Sequence, residues 1–346
     1  MIYLDYCATT PVDESVLNTF NKVCLDYPGN SNSLHKLGAD AHELEVYATD
    51  RIKEILKLNN KDIIYTSGAS EANNHAIKGI CFKYKNRGKH IITTYLEHSS
   101  IINTMNYMSD LGYVVDYVKL DDDGRVDLDH LKKLITNDTI LVSVCMVDSE
   151  LGIRQPIDAI SKILKNYPKC FFHVDCTQAL GKINIDFDLM DLVSVSMHKI
   201  YGMKGIGMLI KNSSTNILPL IHGGKSSTVY RSGTPALPLI VSSMKAIEIA
   251  TSDMDNRYKY VDKLNKKIID KLSEYNDVFI NSTKYSISYV INISFKIFRN
   301  IFVCVCNRLN LFHFSPPLYE YDWYISYFNA FIANEPYKHR KSEKTG

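Results

Sequence analysis

Residues 194–205 read Ser194-Val195-Ser196-Met197-His198-Lys199-Ile200-Tyr201-Gly202-Met203-Lys204-Gly205. An apolar, β-prone run at 192–195 leads in, and a second at 206–210 leads out. The pattern predicts two strands joined by a short turn, with Lys199 at the end of the first in a largely apolar setting. Desolvation disfavours the charged form of a lysine, so such a position lowers its pKa and frees a nucleophilic amine. An amine of that kind forms a Schiff base with an aldehyde. A surface turn with a solvated lysine would read the same way locally, and the rest of the chain must decide between the two.

Working outward toward the N-terminus, strand and helix signals alternate. Asp62-Ile63-Ile64-Tyr65-Thr66 reads as a buried strand, and Ser67-Gly68-Ala69-Ser70-Glu71-Ala72-Asn73-Asn74 opens a helix. Strand, small residues and helix start make a good anion site, because free N–H groups and the helix dipole both favour a phosphate; Ser70 adds a hydroxyl donor. An ordinary capped helix has the same signature. Further strands are predicted at 90–95, 113–120, 139–147 and 170–174, and helices at 39–57, 128–135 and 157–166. The first of these strands leads to Glu97-His98-Ser99-Ser100 ahead of a helix, the third to Asp148-Ser149-Glu150-Leu151-Gly152, and the fourth to Asp175. Residues 3–11 read as a short strand and a turn of small hydroxyl residues, and 29–38 as a polar loop. This order predicts an α/β fold: a large domain with a mainly parallel sheet flanked by helices. Ligands of such sheets sit at the carboxyl ends of the strands. Residues 67–70, His98, Ser149, Asp175 and Lys199 all fall at that edge, and this shared location outweighs any single motif.

Toward the C-terminus, residues 223–234 form a polar loop that starts at Gly223-Gly224 and ends in Arg231-Ser232-Gly233-Thr234. Residues 237–271 are mostly helical, and 286–295 alternate like a strand. After Phe295 the character changes. Residues 296–346 are crowded with aromatics, hold the only tryptophan, Trp323, and end in a basic stretch. Neither a helical period nor a turn-strand-helix order appears there, so local signals no longer agree with a globular fold. The expected organisation is a large domain at 16–255 that carries the ligand edge, a smaller, incomplete α+β domain from 1–15 and 256–295, and an atypical tail at 296–346. That tail is expected to be poorly ordered, as a truncated or frame-shifted end would be.

Composition narrows the function classes. A net charge of +2 gives no electrostatic argument for nucleic acid, and no apolar run approaches the roughly 18 residues of a membrane span. The start, Met1-Ile2-Tyr3-Leu4-Asp5, lacks the charged and apolar parts of a signal peptide. The scattered cysteines then read as thiols in a reducing cytoplasm rather than disulfides. Only Cys304 and Cys306 lie close together, which is weak evidence for zinc, and no metal site is expected.

Pyridoxal 5′-phosphate asks four things of a protein. A lysine must hold it, a carboxylate must keep its ring nitrogen protonated, donors must bind its phosphate, and a flat group should cover its ring. Lys199 can serve first and Asp175 second. Ala69, Ser70, Ser196 and His198 can serve third, and His98 can lie on the ring and move protons. An isolated Asp, His or Lys is usually structural, but such groups at successive strand ends point to a cofactor site.

These residues resemble those of the cysteine desulfurases, within the pyridoxal-phosphate family of class V aminotransferases. The motifs that carry the resemblance are Tyr3-Leu4-Asp5 with Ala8-Thr9-Thr10, Gly29-Asn30, Thr66-Ser67-Gly68-Ala69-Ser70-Glu71-Ala72-Asn73, Glu97-His98, His173-Val174-Asp175 with Gln178, Ser196 with His198-Lys199, and Arg231-Ser232-Gly233-Thr234. They span residues 3–295 in order. The resemblance implies a fold of the PLP-dependent transferase type, with Lys199 carrying the Schiff base, Asp175 on the ring nitrogen, Gln178 on the ring oxygen and His98 stacked on the ring. It implies that Ala69, Ser70, Ser196 and His198 bind the phosphate and that Thr234 reaches the phosphate of a partner subunit, hence a homodimer. L-cysteine would be the substrate; its sulfur would pass to a mobile-loop cysteine as a persulfide while alanine leaves. A sulfur-acceptor protein and iron–sulfur cluster assembly would follow.

The departures bear on activity. The family's Asn-Asn-Glu loop reads Asp148-Ser149-Glu150 here, so Ser149 replaces an amide contact to the cofactor or the contact is lost. The Gly-Gly-Gly-Gln motif reads Gly223-Gly224-Lys225-Ser226. Past Phe295 there is neither a Ser/Gly-rich cysteine loop nor an arginine in the context that clamps the substrate carboxylate. Cys304 and Cys306 sit in the apolar run 301–306, where cysteine is usually inert packing. The expectation is a desulfurase-type enzyme with impaired turnover. A related lyase or aminotransferase, or a non-catalytic remnant, stay open as alternatives.

Overall fold

The structure, a computed structural model, describes residues 3–224 and 226–295. The chain enters through a tight turn in which the Tyr6 amide donates to Leu4 O at 2.8 Å, so the strand expected at residues 3–5 does not form. Asp13 then starts the first helix by accepting from the Ser15 amide at 2.9 Å. The elements that follow are α1 (Glu14–Asp26), α2 (Lys36–Ile55), β1 (Lys61–Thr66), α3 (Ala69–Lys83), β2 (His90–Thr93), α4 (Ser99–Asp110), β3 (Val114–Tyr117), α5 (Leu128–Leu134) and β4 (Thr139–Cys145). Then come α6 (Ile157–Leu164), β5 (Phe171–Asp175), β6 (Leu192–Ser196), β7 (Gly207–Asn212), α7 (Leu237–Ser252), α8 (Met254–Leu272), β8 (Val278–Ile280) and β9 (Ile293–Phe295).

The first seven strands form one sheet in the order β1-β7-β6-β5-β4-β2-β3. Its β2–β3, β2–β4, β4–β5 and β5–β6 pairs are parallel, while β7 runs antiparallel to both β6 and β1. Strand β7 is thus the single reversed strand. The carboxyl ends of β1, β2, β4, β5 and β6 share one edge with the start of β7. There Gly207 pairs with Thr66 on one side and Ser196 on the other.

Alternation along the strands divides the core. Ile64, Ile91, Leu141, Leu192 and Leu209 pack under α3 and α4 with Ala72, Ala76, Ile80, Ile101 and Met105. Ile63, Ile92, Val142, Val193 and Ile210 face the other layer with Ala48, Ile52, Ile160 and Ile247. Every residue of β4 is buried, as expected of a central parallel strand covered on both faces. The mainly parallel sheet between helices is therefore the fold that the strand–helix alternation predicted.

Two expectations about the later chain change. The helical stretch at 237–271 breaks at Asp253 into α7 and α8. Of residues 286–295 only β9 is a strand. Residues 286–290 instead dock on the loop after β4: Ile153 bridges to Ser286, and the Ile287 amide donates to Gly152 O at 2.8 Å. The rest of the stretch finds other partners: the Ser288 amide donates to Tyr258 Oη at 3.4 Å and the Val290 amide to Ile287 O at 3.1 Å, so no ladder forms. Strands β8 and β9 pair antiparallel, and Leu272, Ile291 and Ile293 form a small separate cluster with Ile268, Ile269, Val278 and Ile280. The tail at 296–346, with Cys304 and Cys306, lies outside the described residues, as does Lys225.

Candidate active site

At the end of β1 the chain turns sharply into α3. Thr66 Oγ1 donates to Gly68 O at 2.9 Å, and the Ser67 amide donates to Glu71 Oε2 at 2.7 Å. Gly68 adopts φ 157° and ψ −179°, a region open essentially to glycine. A Cβ on Gly207 would lie 2.7 Å from Gly68 C and Cα and 2.6 Å from Val195 O, so only glycine in β7 lets the turn lie against the sheet. The first-turn amides of α3 have no acceptor within the helix and face the open edge. Ser70 is exposed at this mouth, and Ser196 is buried beside it: its Oγ lies 3.8 Å from the place a Gly68 Cβ would take. Backbone donors, a hydroxyl and the positive end of a helix make a phosphate cradle.

Strand β6 ends in a single 3-10 turn, Met197–Lys199, which turns Lys199 back toward the N-terminal segment. Its Nζ donates to Ala8 O at 2.8 Å and to Cys7 O. Burial, and next the charge of Lys182, lowers its pKa, so a larger share of the amine is neutral. His198 sits on the same turn. Its Nδ1 lies 3.1 Å from Thr9 Oγ1, and burial, then Lys199 and Lys204, pushes its pKa down to about 4. Thr10 ties the segment down by donating to His198 O from both its amide and its hydroxyl, each at 2.9 Å.

Asp175 closes β5 and is 6% exposed. Asn73 Nδ2 donates to its Oδ2 at 2.8 Å, and the Thr177 amide donates to its Oδ1 at 2.9 Å. The same Asn73 nitrogen donates to Ser100 Oγ at 2.9 Å, and Ser100 Oγ lies 2.9 Å from His98 Nδ1. A continuous chain of hydrogen bonds thus runs from Asp175 to His98. His98 also caps α4, accepting from the Ser100 amide at 3.1 Å. The ring is exposed on one side, yet desolvation by the surrounding protein lowers its pKa; Asp175 opposes this and Lys199 adds to it. With Nδ1 accepting from the Ser100 amide, the neutral imidazole carries its hydrogen on Nε2, which makes that nitrogen a donor for proton transfer.

Behind the carboxylate, His173 is fully buried as a strut, with Nδ1 2.8 Å from Ser143 Oγ and Nε2 2.9 Å from Ser194 Oγ. Burial pushes its pKa down to about 4. Glu97 is buried too: its Oε1 accepts from Thr94 Oγ1 at 2.8 Å and from the Cys145 amide at 2.9 Å. Burial, with Asp175 adding to it, pushes its pKa up to about 8.

The expected residues divide into two groups. Ala69, Ser70, His98, Asp175, Ser196, His198 and Lys199 stand along the predicted edge. Gln178 is 5% exposed, and its Nε2 donates to Cys7 O at 2.9 Å beside Lys199. Ser149 lies half-buried on a turn closed by Asp148, whose carboxylate accepts from the Glu150, Leu151 and Ile153 amides. Thr234 is exposed on the loop whose Arg231 binds Glu71 at 3.1 Å. The loop lines a cavity of about 100 Å³ with Thr66 and Ser67, but Thr234 itself is not part of the lining. The roles of Asn73 and Lys182 were not anticipated. Asn73 is readable as helical spacing, since it follows Ala69 by four residues on α3, whereas Lys182 lies on turns and no periodicity marks it.

Two observations test whether pyridoxal 5′-phosphate fits here. Asp175 is a buried carboxylate whose hydrogen-bond donors are an amide and a backbone N–H, so a protonated ring nitrogen would supply the missing cation. Around it, Asn73 Oδ1 and Thr177 Oγ1 are buried with no hydrogen-bond partner. The Gly68 turn, open to a phosphate but closed to any side chain on Gly207, is the second. The donor set fits the cofactor. Among the described residues, no group of three or more His, Cys, Asp or Glu could hold a metal ion, and no helix is long and apolar enough to cross a membrane.

Known proteins resemble this chain in sequence and fold. The family model for aminotransferase class-V matches residues 2–303. A cysteine desulfurase IscS of Buchnera aphidicola subsp. Acyrthosiphon pisum is 39% identical over 303 residues, covering 85% of this chain and 75% of that protein. The IscS of Dictyoglomus turgidum is 38% identical over 291 residues, 84% and 71% of the two chains. Among solved structures, a NifS-like protein matches with a TM-score of 0.83 at 34% identity over 86% of this chain and 82% of its own. SspA in complex with cysteine matches at 0.75 with 32% identity, over 85% and 84%. The chain belongs to the cysteine desulfurase family of the class V aminotransferases, enzymes that depend on pyridoxal 5′-phosphate.

Proposed function

We propose that this chain takes L-cysteine as its substrate and holds pyridoxal 5′-phosphate covalently at Lys199. The observation that carries the assignment is the pairing, at one sheet edge, of a half-buried lysine of lowered pKa with a buried Asp175 that forms no ion pair among the described residues. When bound, the cofactor supplies an electron sink for the substrate's carbon–hydrogen and carbon–sulfur bonds. The chain's own residues do the rest. The amides of Ala69 and Ser70 bind the phosphate, with Ser196 Oγ and the His198 ring. Asp175 holds a proton on the ring nitrogen, and the Asn73–Ser100 hydrogen bonds fix both Asp175 and His98. The neutral His98 imidazole and the released Lys199 amine move protons at the substrate. In balance, the carbon–sulfur bond of cysteine breaks, a sulfur–sulfur bond forms on an acceptor thiol, and the proton of that thiol allows alanine to leave. We extend the reading to a cytoplasmic homodimer in which the exposed Thr234 serves the partner's phosphate.

Loading the protein with cofactor should produce a visible absorption band, and borohydride should fix the label on Lys199. Lys199→Ala should abolish the fixable adduct. Label that survives this substitution would put the attachment elsewhere and end the assignment.

A further inference from the structure

Lys182 is 7% exposed, yet no ion pair of the described residues includes it. Its Nζ donates to Gln178 Oε1 at 2.6 Å. Burying a cation against a neutral partner is costly, and an apolar side chain of similar length would avoid the cost. The chemistry of its neighbours suggests what the cost secures. A lysine can only donate, and the Cys7 carbonyl that receives Gln178 Nε2 can only accept. The two together permit one orientation of the Gln178 amide, with its oxygen toward Lys182 and its NH2 toward Cys7. Cys7 O is also the oxygen that Lys199 Nζ binds. Lys182 and Lys199 line one cavity of about 30 Å³, with Tyr6 and Thr10.

We propose that Lys182 is a positioning residue of the Lys199 site: it locks the Gln178 amide with its NH2 turned toward Lys199, and it sets a second, unreacting positive charge behind the Lys199 amine. The proposal rests on Lys199 being the residue that holds the cofactor. One hydrogen of the Gln178 NH2 serves Cys7 O, and the other can donate to an oxygen anion at the amine. Without Lys182 the amide can rotate and present its carbonyl there instead. The charged and titratable groups facing Lys199 are Asp5, Cys7, His98, Glu150, Asp175, Lys182 and His198. Lys182 follows burial as the second cause of the lowered Lys199 pKa.

Two readouts test this. In cofactor-free protein, the pH midpoint for acetylation of Lys199, followed by mass spectrometry, reads the charge with no use of the cofactor. In loaded protein, the pH midpoint of the visible band reads the charge and the amide together. Lys182→Met should raise both midpoints by about one unit, leaving about tenfold less neutral amine at a given pH. Lys182→Arg, which keeps the donor and the charge, should restore both. Lys182→Gln, which keeps a donor without the charge, should raise the Lys199 midpoint and substitutes for Lys182→Met if that variant fails to fold. An unchanged Lys199 midpoint in the neutral variants, or an arginine variant that behaves like them, would overturn the proposal. Borohydride trapping of wild type and Lys199→Ala runs alongside. Label that persists in the alanine variant would reject Lys199 as the attachment point, while the cofactor-free midpoint would still judge Lys182.

Discussion

Glu97 shows how one side chain can be held in an unusual state. Its carboxyl is buried and receives two donors on Oε1, while Oε2 has no partner. Its pKa rises from 4.5 to about 8. Below the ordinary value both folded and unfolded chains hold the proton. Between 4.5 and about 8 the folded chain keeps it and the unfolded chain loses it. Stability from this group is therefore full at low pH and falls by about 1.4 kcal/mol per unit as pH rises through that window. Glu97→Gln keeps the shape and does not titrate. The stability of the variant relative to wild type should rise steadily from pH 5 to pH 8 in urea unfolding. A difference that does not vary with pH would mean that Glu97 is ionised in the fold.

At the scale of elements, the phosphate cradle depends on the close approach of the Gly68 turn to β7. A methyl group on Gly207 meets backbone on both sides, at 2.6 and 2.7 Å, and neither contact is a flexible side-chain end. Overpacking of this kind typically costs about 1–3 kcal/mol. Gly207→Ala should lower stability by that amount and also weaken cofactor binding, because the relief must come from moving the turn that starts α3. Gly224→Ala is the control, since nothing lies within 4 Å of its Cβ. Equilibrium dialysis and urea unfolding on the two variants give the comparison. Unchanged affinity in Gly207→Ala would separate the cradle from the sheet.

Sulfur transfer belongs to the whole molecule, because it needs a thiolate that can reach the site. Burial raises the thiols of Cys81, Cys145 and Cys176, and takes Cys170 to about 12. None of these four can serve as acceptor as a buried, protonated thiol. Cys304 and Cys306 lie outside the described residues, in an apolar run with no Ser/Gly-rich loop around it. A misplacement of about 1 Å can already cost on the order of 100-fold in rate. We therefore expect sulfide and alanine release, with a reductant present, at least about 100-fold slower than in an enzyme with a mobile-loop cysteine. Cys304→Ser and Cys306→Ser should leave that rate unchanged. Robust turnover lost in either variant would identify the acceptor and refute the expectation.

Most of the edge on which the site is built was legible in the chain. Lys199, Asp175, His98 and the 67–70 turn each follow a strand signal, and in a mainly parallel sheet strand ends converge without further information. The phosphate turn is equally local as a strand–glycine–helix start, but an ordinary capped helix has the same signature, so its use was read from the company of the other strand ends. What stood beside these residues depended on the tertiary structure. Periodicity does not encode strand order, so the insertion of β7 between β1 and β6, and with it Gly207 under Gly68, could not be read. Asn73 meets Asp175 across 102 residues of sequence, and both are ordinary in their own segments. Residues 286–290 alternate as a strand does, yet Ser286 and Ile287 pair with the loop at 152–154 and the rest find other partners. Local pattern determines which groups a segment presents. Only the packing of distant segments decides which buried donor meets which acceptor, because that choice is made by geometry and desolvation at contacts between segments far apart in sequence.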